Sequence, residues 1–142
     1  MVKRGRRKSV DPAQAPRYYR VARALRQSAM DLIEIADDES SNGNAIAIVT
    51  IHSAIAYADA LAIAYGGFKS TEGEHERAVE ALQAALGARI DPGQVKDLLT
   101  IVKKKDTASY QGVYYTVGEA RDLLRKLQRF ADWAEVMYEK RP

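Results

Sequence analysis

Cysteine is absent from the 142-residue chain, so neither a disulfide nor a thiolate metal site can form. Histidine occurs only twice, as His52 and His75. Two imidazoles with no thiolate make a poor metal set, and no metal or other cofactor is expected. No glycine-rich phosphate loop, internal repeat or strand-like alternation competes with the helical patterns below. The basic N-terminus is followed by no apolar stretch of the kind a secretory signal carries. With the lack of cysteine, this points to the cytoplasm. One apolar run, residues 45–65, approaches the length of a membrane span. His52 and Asp59 lie inside it and alanine dominates it, so a buried central helix is expected and no membrane partner.

What is present is enough for one domain with a real core: 46% of residues are apolar and 29% charged. The formal charge of +3 is unevenly placed. Lys3, Arg4, Arg6, Arg7 and Lys8 supply five cations within the first eight residues, which leaves the remainder slightly acidic. Residues 1–12 read as a flexible basic arm, either a solubilising tail or a salt-sensitive tether to nucleic acid. Residues 13–140 read as the helical domain.

Five helices are expected. The first opens at Asp11-Pro12, a cap and a first-turn proline, and carries Tyr18, Ala22, Leu25, Ala29, Leu32 and Ala36 along one face. The second is the apolar run, closed by Gly66-Gly67. The third starts near Thr71 and Glu74, a capping box, and ends at Gly87. The fourth follows Asp91-Pro92 and lines Val95, Leu98, Leu99 and Val102 inward. The fifth opens on the Thr116/Glu119 box and buries the stripe that runs from Ala120 to Met137. Short connections favour antiparallel neighbours.

Asp59 lies seven residues after His52 and so shares its helix face. A carboxylate there needs a cation, and the lysines at 103–105 are the candidates. His52 itself reads as a core histidine or a site residue, and His75 as a surface residue or a site residue. Lys103, Lys104 and Lys105 point about 100° apart on a helix, so they cannot all face one ligand; they also complement a helix C-terminus. Arg121, Arg125 and Arg129 form a stripe on the last helix, read either as a solvated face or as part of a nucleic-acid footprint.

Residues 20–138 resemble HEPN domains (higher eukaryotes and prokaryotes nucleotide-binding), above all the short stand-alone bacterial, actinobacterial type. The Ala58-Asp59-Ala60 step, Gly73 to His75, and Lys105-x-x-Ala108-x-Tyr110 before a capped last helix carry the likeness. The resemblance implies an all-α, HEPN-like bundle of about five helices that forms a homodimer. A second subunit would also help to cover an apolar helix that carries His52 and Asp59. Nuclease members use Arg-x4–6-His; here Lys105 takes the arginine position and Tyr110 the aromatic one of a degenerate pattern. Lysine lacks the planar fork of arginine, and a phenol with a reference pKa of about 10 is a poor base at neutral pH. The expected function is RNA or nucleotide binding in a toxin–antitoxin or defence setting. The expected ligand residues are Asp59, His75, Lys104, Lys105 and Tyr110. Nucleic-acid contacts are expected from the arm cations and from Arg121 and Arg125. Two alternatives stand beside it. One is a metal-independent ribonuclease using Lys105, Tyr110 or His75; the other is a module that docks onto a nucleotidyltransferase.

Overall fold

The structure is a computed structural model that describes residues 7–37, 42–71 and 76–142. Lys3, Arg4, Arg6, Glu74 and His75, with the expectations attached to them, lie outside the described residues.

The architecture is an all-α bundle, and all five expected helices are present among the described residues. A 3-10 turn, Pro12–Gln14, is capped by Asp11, whose Oδ1 accepts from the Ala13 N–H at 2.9 Å. It leads into α1 (Ala15–Ile35). Next comes α2 (Gly43–Gly66), which ends where Gly67 adopts φ +72°, the left-handed geometry that glycine takes without penalty. The others are α3 (Glu76–Leu86), α4 (Pro92–Val102), a short α5 (Lys105–Ser109) and α6 (Val117–Glu139).

Helix α2 has no polar face, and fifteen of its 24 residues are buried. A helix apolar all round must be enclosed, and this sets the architecture. By length and composition α2 could cross a membrane, but 72% of its apolar window is buried inside the protein. Helix α1 runs antiparallel to it. Ala15, Ala22 and Ala29, spaced by sevens, turn their small side chains inward, so the backbones come close enough for Ser53 Oγ to donate to the Ala22 carbonyl at 2.8 Å. Helix α6 runs parallel to α2: Tyr57 meets Glu135 further down, and Tyr65 Oη donates to the Met137 carbonyl at 2.6 Å. Each large side chain buried in this seam, such as Leu61, Leu127 or Phe130, contributes about 1.5–3 kcal/mol of transfer free energy.

Two expectations need correction. A small antiparallel sheet exists: β1 (Arg7–Ser9) pairs with β2 (Phe68–Ser70), Lys8 opposite Lys69, and Val10 N–H donates to the Gly67 carbonyl at 2.9 Å. Strands of three residues are too short for alternation to show in a sequence. Residues 7–12 of the expected arm are therefore held against the body, and the domain begins earlier than residue 13.

Candidate functional site

The lysine stretch is built from a break between helices. Helix α4 stops at Val102, Lys103 and Lys104 form a turn, and α5 restarts the coil for five residues. The chain then crosses an extended link to α6. Thr116 opens that helix with both capping bonds in place, Glu119 N–H to Thr116 Oγ1 at 3.0 Å and Thr116 N–H to Glu119 Oε1 at 3.2 Å.

Asn44, in the first turn of α2, holds this segment. Its Nδ2 donates to the Ala108 carbonyl at 3.0 Å and to the Val113 carbonyl at 2.8 Å, and its Oδ1 accepts from the Tyr115 N–H at 2.9 Å. Buried Tyr115 is fixed further by a 2.7 Å hydrogen bond between its hydroxyl and Thr107 Oγ1. Nothing in the sequence marks Asn44 as a clamp, because its partners lie 64 to 71 residues away.

The fixed loop turns at Gly112, φ +68°, and leaves Tyr110 77% and Tyr114 58% exposed. Behind it a cleft of about 340 Å³ is lined by Thr100, Lys104, Thr107 and Tyr115, with Asp122 and Lys126 opposite. Lys103 and Lys104 are exposed and Lys105 is half-buried. No described carboxylate forms an ion pair with any of the three. The arginine stripe of α6 differs. Arg125 pairs with Asp122 at 2.9 Å, and Arg129 makes two 3.1 Å bonds to Asp97, while Arg121 is exposed and has no carboxylate partner among the described residues.

Asp59 is elsewhere. It is buried near the other end of α2, and its cation is Lys69 of β2, with Nζ 3.7 Å from Oδ2. Burial pushes the Asp59 carboxyl up to about 6, with Lys69 pulling against the shift. The lysine cluster is not its partner. Fifteen residues separate Asn44, which holds α5, from Asp59, about 22 Å along a helix axis at 1.5 Å per residue. Lys105, Tyr110 and Asp59 therefore do not share a cleft.

His52 and Asp59 do share one. Both line a groove of about 380 Å³ between α1 and α2, with Arg17, Tyr18, Val21 and Ile55. His52 is exposed there rather than a core residue. The seven-residue spacing showed the common face; Lys69 was missed because it reaches Asp59 from across the Gly67 turn.

Comparison with protein-family models, with curated proteins and with solved structures gives no match, so any family reading of the chain rests on its own residues.

Proposed function

We propose that the chain is a HEPN-like protein that binds RNA or a nucleotide at its α5 end and does not cut it. One observation carries this reading. Tyr110 stands in solvent on a loop that Asn44 and Tyr115 hold in place, beside lysines with no carboxylate partner among the described residues. A tyrosine ring left in water gains nothing for folding, whereas a base stacked on it is worth about 1–3 kcal/mol. Lys103 and Lys104 supply charge for phosphates without fixing their geometry. The toxin–antitoxin or defence setting comes from the resemblance alone.

Cleavage through a ribose 2′-hydroxyl needs a base competent near pH 7 within hydrogen-bond reach. The cleft behind the loop presents threonines, a tyrosine, lysines and two carboxylates, Glu119 accepting from the Thr116 N–H and Asp122 paired with Arg125. Lysine and phenol side chains serve charge and stacking better than proton abstraction at that pH.

Fluorescence anisotropy with a labelled single-stranded RNA tests the reading. Tyr110→Ala is expected to weaken binding by about tenfold, the loss of one stacked base, and Lys103→Ala/Lys104→Ala to weaken it further at low salt. RNA incubated without metal should stay intact. Robust cleavage lost in Lys105→Ala or Tyr110→Phe would make the protein a ribonuclease.

A further inference from the structure

The end of the bundle where α2 and α6 finish holds a different arrangement of cations. Tyr19 and Tyr138 stack at 3.8 Å with their planes 9° apart. Tyr19 covers one face of Tyr138, so the Arg141 guanidinium, 4.0 Å from that ring's centroid, takes the other. Arg23 lies 5.7 Å from the Tyr19 centroid. Arg89 lies 5.6 Å from Tyr65, whose hydroxyl is tied to the Met137 carbonyl. Arginine and tyrosine thus alternate across the surface formed by α1, α2, α6 and the turn after α3. At the rim Arg7 of β1 stands 4.7 Å over Phe68.

We infer that this arginine–tyrosine ladder is a second nucleic-acid surface, one that takes the sugar–phosphate backbone. Four other arginines, Arg26, Arg77, Arg125 and Arg129, are joined to carboxylates. Arg7, Arg23, Arg89 and Arg141 have rings in place of acids and keep their full charge. A guanidinium held over a ring face is oriented while N–H groups remain for a phosphate; Arg141 Nη1 also donates to the Tyr138 carbonyl at 3.0 Å, which fixes that side chain and leaves its other N–H groups for a ligand. The pocket beside Arg23 and Tyr19 also presents Asp132, Glu135 and Glu139; Arg26 engages Asp132 and Glu135, and Tyr57 engages Glu135 as well.

Helix dipoles do not explain the cluster. They favour cations at the ends of α2 and α6 but disfavour them at the start of α1. Arg17 lies in that first turn, which holds no acidic residue, and Arg23 lies in the third turn, beyond the reach of the dipole. The arm joins the body at the same end: β1 begins at Arg7, and the sequence before it carries Lys3, Arg4 and Arg6.

The inference rests on the proposed function for the identity of the polymer, but the two surfaces lie at opposite ends of α2 and are separable. The test is the salt dependence of binding to two labelled probes, a poly(U) oligonucleotide and a duplex DNA. The triple variant Arg23→Gln/Arg89→Gln/Arg141→Gln should flatten the plot of log affinity against log salt by about 2 for the single strand, or about 0.7 per lost phosphate contact. Duplex binding should weaken in parallel. Tyr110→Ala should leave duplex binding unchanged. The corresponding triple lysine variant should keep the wild-type slope with lower affinity, because charge remains and the fork is lost. If the triple glutamine variant does not fold, as read by circular dichroism, Arg23→Glu alone at an exposed position must lower the slope. An unchanged slope overturns the inference. So does a lysine variant as tight as the wild type, or arginine-dependent binding to phosphatidylserine vesicles with no binding to either nucleic acid. Loss of single-strand binding in Tyr110→Ala with an unchanged slope in the triple variant would sink this surface alone. The reverse pattern would sink the α5 loop and leave the ladder standing.

Discussion

Asp59 is the residue whose environment has the clearest consequence. Its carboxyl is pushed from 3.8 up to about 6 by burial, and Lys69 only partly offsets the shift. The folded state therefore holds a proton between about pH 4 and 6 that the unfolded chain has released. Stability from this group is greatest on the acid side and falls as pH rises through that window, by about 3 kcal/mol in all. Asp59→Asn removes the titration. Urea unfolding over a pH series should show variant and wild type close together near pH 4. The variant should be more stable at pH 7, by somewhat less than that figure because Lys69 then lacks its partner. A wild type more stable than the variant at pH 7 would mean that the ion pair outweighs desolvation. Asn44 is the other residue of consequence. Asn44→Ala strips three hydrogen bonds from the loop and should cost about 1–3 kcal/mol. It should also weaken RNA binding without removing any ring or charge from the surface; a variant that binds as well as the wild type would show that the loop needs no clamp.

At the scale of elements, helix patterning was largely legible and helix contacts were not. Asp11 and Asp91 before proline, Thr116 with Glu119, and Gly67 at a left-handed end are local signals, and each acts where the sequence places it. Short-range chemistry of this kind survives in a sequence because donor and acceptor lie within four residues. The β1–β2 pair, the Asp59–Lys69 bond and the Asn44 clamp join residues that no periodicity relates. Gly43 is a case in point: it is buried against the link before α6, more than 70 residues on. A Cβ there would fall inside the Tyr115 carbonyl, and backbone cannot move aside as a flexible side chain does. Gly43→Ala should therefore destabilise by about 1–3 kcal/mol through overpacking, although alanine is the better helix former. A raised melting temperature would show that the link yields freely.

At the scale of the whole molecule, the two ends of the chain are joined across the core. Glu135 of α6 accepts from Tyr57 Oη of α2 at 2.5 Å and from Arg26 Nη1 of α1 at 3.0 Å; Arg26 also reaches Asp132 at 2.8 Å. Burial first, and Glu135 second, hold the Tyr57 hydroxyl far above the usual phenol range, so it stays a neutral donor. Arg26 and Glu135 are 109 residues apart, and the contact forms only when α1, α2 and α6 are all in place. Removing the acceptor leaves a buried hydroxyl and a mostly buried guanidinium, 16% exposed, short of a partner. Glu135→Ala is expected to cost about 2–4 kcal/mol, and Glu135→Gln less, because an amide oxygen can still accept. The unfolding should remain a single step, since α2 cannot shed one neighbour without exposing its apolar surface to water. Trp133, packed 5.9 Å from Phe130 on α6, reports the α6 seam by fluorescence, and far-ultraviolet circular dichroism reports all helices. In Glu135→Ala both should move to the same lower urea midpoint. Two separated transitions would show that α1 or α6 leaves the bundle alone, and that the contact joining the chain ends is not part of the cooperative core.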